Sequence, residues 1–274
     1  MYTLRSFDFF PRQEDAVALA FREPQEPFPE HTHDFNEIFI VDGGSGLHVL
    51  NDFPYTINCG MCFYINADDR HLFEQVDDLR LVNILYRPNT SFTFIKNFSH
   101  LLPSPDDGCV WSISPVLKKA LKGLLDEMKL QVEQEPLIEQ CRQETLFLRI
   151  LMLLRQGRYR ITSTGSNQDK LQQILLYLQQ NPQDEINWEA LAERFFITPR
   201  TLHRQFLSHT GQTPQKYLNT LRLNRAKYQI QSTDDTLTEI AFACGFSDSN
   251  NFSTSFKKAF GISPSQLRKS LHYN

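Results

Sequence analysis

The chain has 274 residues, 41% of them hydrophobic and 22% charged, and a formal net charge of −4. That balance excludes a disordered or collagen-like chain and leaves room for two modest domains. The charge is unevenly spread: residues 1–160 carry 16 Lys and Arg against 23 Asp and Glu, whereas residues 161–274 carry 12 against 9, so only the second half suits a polyanionic partner.

The opening "MYTLRSFDFFPRQEDAV" has no apolar run of signal-peptide length. Residues 17 to 95 then read as short strands. "AVALAF", "NEIFIVDGGSGLHVLN", "YTINCGMCFYIN" and "LRLVNILYR" are rich in β-branched and aromatic residues and are divided by Gly, Asn and Asp turns. Closely spaced strands without long helices between them predict an antiparallel barrel or sandwich. The period changes at "SPVLKKALKGLLDEMKLQV", where Val116, Leu117, Leu121, Leu124, Leu125 and Met128 share a helical stripe behind an N-cap at Ser114-Pro115. A second helix is predicted from about Pro136 to Gly157. Its "TLFLRILMLLRQ" is interrupted by Arg149 and too short to span a bilayer.

"RITSTGSNQDK" is small, polar and without an evident cap, so residues 161–169 are expected to link a domain of 1–160 to one of 170–274. Everything beyond is helical in pattern. Leu171, Ile174, Leu175 and Leu178 mark one helix, stopped at Asn181-Pro182. Five cysteines, an odd number, argue against a disulfide framework. Cys59 and Cys62 are three apart, which on a strand puts them on opposite faces, so they and Cys244 are read as packing thiols. A soluble cytoplasmic protein with no membrane partner is expected.

The second half contains a repeat. Phe206 and Phe256, Gly211 and Gly261, and Thr213-Pro214 and Ser263-Pro264 each lie fifty residues apart, the mark of one supersecondary unit used twice. Each copy reads as a short helix, a tight turn and a second helix: helix-turn-helix grammar. Thr198 caps the second helix of copy one. In copy two Ser247 is expected to cap, with Asp248 following at the helix N-terminus. At 100° per residue Phe206 lies about 40° from Leu202, while Arg200 and Arg204 fall at about 160° and 200°. Arg200 and Arg204 therefore face outward, as do Asn250 and Thr254 in copy two, and together with His203 and Asp248 they are the candidate DNA contacts. Arginine pairs bidentately with guanine, and asparagine with adenine, in the major groove. Lys216, Lys257 and Lys258 suit phosphate contacts, which position without specifying sequence. Two reading heads on one duplex are the expectation.

These residues also carry a family resemblance. "ACGFSDSNNFSTSFKKAFGISPSQLR" and the linking helix "TPQKYLNTLRLNRAKYQIQS" are similar to the DNA-binding domain of the AraC family of bacterial transcription regulators. The resemblance implies a monomer spanning two successive major-groove segments and a homodimer on paired half-sites. It also implies contact with the sigma subunit of RNA polymerase, for which Glu239 is the acidic candidate.

In the first half, "HTHDFNEIFIVDGG" with His71 resembles the His-x-His-x(3)-Glu…His pattern of cupin barrels, whose enzymes hold one divalent metal on four such side chains. In "GMCFYINADDRH", however, Ala67 and Asp68 stand where cupins tend to have a Pro-x-Gly turn. The AraC family's regulatory domain is itself cupin-like and usually holds a small effector. His31, His33, Glu37, Tyr64 and His71 are accordingly expected to contact an effector, with no metal, no cofactor and no catalytic residue. "DFFP", "FPEHTHDFNEI", "DRHL" and "GFSDSNNFST" extend the similarity to sugar-responsive members of the family. They imply L-rhamnose or a similar sugar as effector and genes of rhamnose catabolism and transport as targets. The expected architecture is α+β in two domains: a cupin-like β-barrel with helices, then an all-α double helix-turn-helix domain that binds promoter DNA. The rival readings are a metal-dependent cupin sugar enzyme with a DNA-binding tail, and an effector-independent regulator.

Overall fold

A computed structural model gives the fold, and describes residues 2–103, 108–130, 135–157 and 165–271. The chain divides into two compact units, one of residues 1–47 and 57–161, the other of 48–56 and 162–274.

The first unit is built on a mixed sheet. The strands are β1 (Tyr2–Leu4), β2 (Val17–Arg22), β3 (Phe28–His33), β4 (Asn36–Leu50), β5 (Phe53–Asn58), β6 (Met61–Ile65), β7 (His71–Tyr86) and β8 (Val110–Ser112), of which the end of β4 and most of β5 group with the second unit. The order β1-β3-β7-β4-β6-β8 forms the main path, with β2 paired to β7 and β5 to β4. β7 changes partner along its length: His71 and Phe73 face β3, and Leu81–Tyr86 pair antiparallel with β2. β1 runs parallel to β3, with Leu4 opposite His33.

Strand alternation sorts side chains to two faces. On one, Phe39 and Phe63 are opposed and stack at 4.7 Å, with Phe73 edge-on to Phe39. On the other, Ile38, Ile40, Cys62 and Tyr86 form a core with the helices α1 (Pro115–Lys129) and α2 (Pro136–Gly157). Those helices contribute Leu121, Leu124, Leu125 and Met128, and Leu146, Phe147, Ile150, Leu151 and Leu154. Val116, predicted on the same stripe, is instead 81% exposed, because it sits in the first turn beyond the reach of the sheet. The buried carboxylate of Glu144 accepts from the Thr93, Phe94 and Ile95 N–H groups at 2.9, 2.7 and 3.0 Å, fixing a loop with no sheet partners of its own.

The second unit contains α3 (Asn167–Gln180), α4 (Trp188–Arg194), α5 (Pro199–Thr210), α6 (Pro214–Ser232), α7 (Leu237–Ala243), α8 (Ser249–Phe260) and α9 (Pro264–Leu271). Of the expected linker 161–169, residues 161–164 lie outside the described residues. The remainder is a correction: Ser166 caps α3 in a reciprocal capping box with Asp169, so the helix starts where a linker was expected. α6 serves both helix pairs. Tyr217 near its start meets Phe206 of α5 at 5.6 Å, and Leu223, Ala226 and Ile230 pack with Ile240, Phe252 and Phe256.

The duplication extends to individual hydrogen bonds. In the first turn Phe196 N–H donates to Glu193 O and Ile197 N–H to Ala192 O. In the second, Gly245 N–H donates to Phe242 O and Phe246 N–H to Ala241 O. Both turns need a left-handed residue, Phe196 at φ 55° and Gly245 at φ 86°. Thr198 caps α5 as predicted. The cap of α8 is Asp248 rather than Ser247, its two oxygens accepting from the Asn250 and Asn251 N–H groups.

Candidate functional site

The inner face of the sheet borders a cavity of about 50 Å³ lined by His31, His33, Glu37 and His71, together with Leu4, Phe9, Phe28, Phe35 and Phe73. Four of the five predicted effector residues are thus brought together. They do not share one strand: His31 and His33 end β3, a bend at 34–35 follows, and Glu37 begins β4. Tyr64 is placed elsewhere. Glu37 opposes Ile65 across β4–β6, so the neighbouring Tyr64 points to the helix-covered face and stacks beside Tyr86. Sequence reasoning missed Arg22, Gln25 and Asn83, which also line the cavity. Asn83 is 8% exposed and its Oδ1 has no hydrogen-bond partner among the described residues.

The four cavity side chains are nearly inaccessible. His31 Nδ1 lies 2.9 Å from the Pro29 carbonyl, and burial holds the His31 pKa below its ordinary value. His33 Nδ1 lies 2.5 Å from the Phe35 carbonyl, leaving Nε2 to face Glu37 Oε2 at 3.5 Å. Burial lowers the His33 pKa, but the Glu37 carboxylate and the Phe35 carbonyl outweigh it and the net shift is upward. His71 Nε2 lies 3.8 Å from the same Glu37 oxygen.

A larger cavity of about 400 Å³ lies between β2 and the two helices, lined by Arg12, Asp15, Phe21, Lys129, Glu139 and Gln143 among others. Its charges are already satisfied: Arg12 pairs with Asp15 at 2.7 Å and Arg142 with Glu139 at 2.6 Å. The smaller cavity is the better candidate for recognition, because its polar groups converge on one point.

In the second unit Arg200, His203 and Arg204 are exposed on α5, and Asn250 and Thr254 on α8, with Leu202, Phe206, Phe252 and Phe256 buried behind them. Lys216, Lys257 and Lys258 are exposed as well. Asp248 is occupied as a helix cap. Glu239 is exposed but engaged, closing a capping box with Thr236. Of the thiols, Cys62 and Cys244 are buried as expected. Cys59 is half-buried beside Lys118, whose Nζ lies 3.3 Å from its sulfur.

The sequence matches the family described as "AraC-like ligand binding domain" over residues 15–153 and a "Helix-turn-helix domain" over 191–270. The chain belongs to the AraC family of transcription regulators. It is 44% identical, over 98% of its length and 97% of the relative's, to a protein of Pectobacterium carotovorum called HTH-type transcriptional activator RhaS. A protein of the same name from Escherichia fergusonii is 42% identical over 98% of each chain. A solved AraC-type DNA-binding regulator from Chromobacterium violaceum is 32% identical over 38% of this chain and 93% of its own, with a TM-score of 0.36. The AraC architecture accounts for both units: a sheet-rich ligand-binding domain and a helical DNA-binding domain. Among the described residues no helix is long and apolar enough to cross a membrane.

Proposed function

We propose that this AraC-family chain is a cytoplasmic, sugar-responsive transcriptional activator without catalytic activity. Its effector is L-rhamnose or a close relative, and its targets are genes of rhamnose catabolism and transport. The observation that carries the reading is a cavity with converging polar side chains in the same chain as two matched helix-turn-helix units. At about 50 Å³ the cavity holds water-sized guests, whereas small-molecule sites run to about 300–1,000 Å³. A sugar therefore has to widen it, and the affinity difference between the narrow and widened states is what drives the response. His31, His33, Glu37 and His71, with Arg22, Gln25 and Asn83, are the contacts proposed for its hydroxyls.

On DNA, a homodimer places Arg200, His203 and Arg204, then Asn250 and Thr254, against base edges. Lys216, Lys257 and Lys258 meet phosphates, and Glu239 meets the sigma subunit of RNA polymerase. The test couples a promoter reporter with operator titrations. L-rhamnose, within a panel of sugars, is expected to raise reporter output. Arg204→Ala should cost about 1–3 kcal/mol and relax preference at one base pair, whereas Lys258→Ala should weaken all sequences alike and lower the salt slope by about 1. A reporter indifferent to every sugar overturns the effector reading. Two variants that bind DNA like the parent overturn the interface.

A further inference from the structure

We propose that Cys59 and Lys118 form an oxidant-dependent modification site, at which dioxygen joins sulfur to nitrogen through one bridging oxygen. Local sequence reads Cys59 as a packing thiol. The structure instead places it half-buried in the turn between β5 and β6, with the Lys118 Nζ 3.3 Å from its sulfur. Reacting groups held about 3–3.5 Å apart are already at near-attack distance. Three elements hold the pair. Lys118 stands at the start of α1, its backbone N–H donating to Ser114 O at 2.8 Å. Its ammonium donates to the Asp42 carbonyl of β4 at 2.6 Å and meets Asp42 Oδ1 at 2.8 Å. The Cys59 thiol donates to that same carbonyl at 3.3 Å. One backbone oxygen thus gathers both reacting groups. The Lys118 side chain is 30% exposed and that of Asp42 44%, so an oxidant reaches them from solvent.

Burial lowers the Lys118 pKa, but Asp42 and Cys59 outweigh it and the net shift is upward, so the resting nitrogen is an ammonium. Asp42 Oδ1 is placed to take the proton whose loss frees the nitrogen lone pair. One thiol, one ammonium and one dioxygen give the bridge, one water and one proton. The S–H bond, two N–H bonds and the O–O bond break, while S–O and O–N bonds form. Sulfur and nitrogen give up two electrons each, and dioxygen accepts the four. Oxidised cysteines commonly end as sulfenic acids or disulfides. Cys62, the nearest thiol in sequence, packs in the helix-covered core, and the group presented to the Cys59 sulfur is the amine. A direct sulfur–nitrogen bond would draw the two atoms further together than a bridge through oxygen. The bridge ties the β5–β6 turn to α1 beside the middle of β4.

The experiment compares the full chain kept anaerobic with the same protein exposed to air, by intact mass and by sequencing of proteolytic peptides. Aerated protein is expected to gain one oxygen and lose two hydrogens, with a Cys59 peptide linked to a Lys118 peptide. Dithiothreitol is expected to reverse both changes. Cys59→Ser and Lys118→Arg should each abolish the linked peptide, and Cys141→Ser should retain it. Arginine keeps a cation for Asp42, so loss in that variant, folded by circular dichroism, reports the missing amine. If a variant misfolds, the parent decides the matter, because the linked peptide names both residues. A folded parent that stays unlinked in air overturns the inference. So does oxygen on Cys59 alone, a Cys59 disulfide, or a link between the two residues without the added oxygen.

Discussion

On the proposed function, Glu239 carries two demands on one carboxylate, the α7 cap and the polymerase contact. Its Oε2 accepts from the Thr236 N–H at 2.8 Å and the Thr236 hydroxyl at 2.7 Å, and these bonds hold its pKa below the ordinary value. A depressed carboxylate contributes stability above its unfolded pKa and loses it as pH falls through the folded one. The α7 cap should therefore loosen only in acid, seen as lower amide protection factors at the start of α7. Glutamine can replace glutamate in this cap, so the two roles separate. Glu239→Gln is expected to leave thermal stability unchanged while lowering promoter output at equal operator occupancy, and Glu239→Ala to lower both. Unchanged output in the glutamine variant would remove the polymerase contact and leave only the cap. Residue-level legibility depends on parity. The spacing of His31, His33 and Glu37 carries them to one face across a bend, and the sequence shows it. Whether Tyr64 joins them depends on the β4–β6 register, which spacing alone does not set. Arg22, Gln25 and Asn83 are single polar residues on otherwise ordinary strands, and only the closed sheet gathers them.

At the scale of elements the duplicated helical unit was the most legible feature, because its caps, core phenylalanines and post-helix turns are all local chemistry. Its turns were less so. The left-handed position is glycine in copy two but Phe196 in copy one, so no glycine signal marks the first turn. There the Lys170 ammonium donates to the Phe196 carbonyl at 3.0 Å, satisfying a turn acceptor from another helix. The glycines themselves differ in what they permit. A Cβ at Gly245 would stand 2.8 Å from both the α-carbon and the carbonyl oxygen of Gln183, a backbone clash added to the strain of φ 86°. A Cβ at Gly261 meets nothing within 4 Å. Gly261→Ala should therefore cost about 1–2 kcal/mol, the penalty of the left-handed conformation alone, and Gly245→Ala clearly more. Chemical denaturation of the two variants gives the ranking, and equal costs would mean the second turn relaxes freely. Ser247 and Asp248 show the limit of local reading: both are good caps, and only the hydrogen bonds choose between them.

The whole molecule consists of two units, for each of which a different ligand is proposed. Such a chain need not unfold in one step, so a single melting temperature is a poor observable. Its two tryptophans offer a better one. Trp111 is buried on β8 of the sheet unit, and Trp188 opens α4 of the helical unit, its indole N–H donating to Gln215 Oε1 at 3.0 Å. Trp188→Phe leaves a reporter on the sheet unit, and Trp111→Phe one on the helical unit. A ligand at a hundred times its dissociation constant stabilises the folded state by about 2.7 kcal/mol, which for a unit of this size moves its transition by about 5–10 °C. L-rhamnose is expected to raise the Trp111 transition by that amount. Operator DNA is expected to raise the Trp188 transition, and more so at low salt, because counterion release drives much of its binding. Rhamnose that moved only Trp188 would place the effector on the helical unit and empty the sheet cavity of its proposed role. Rhamnose that moved both by the same amount would mean the two units unfold as one cooperative block, so that the effector stabilises the helical unit as well as the sheet unit.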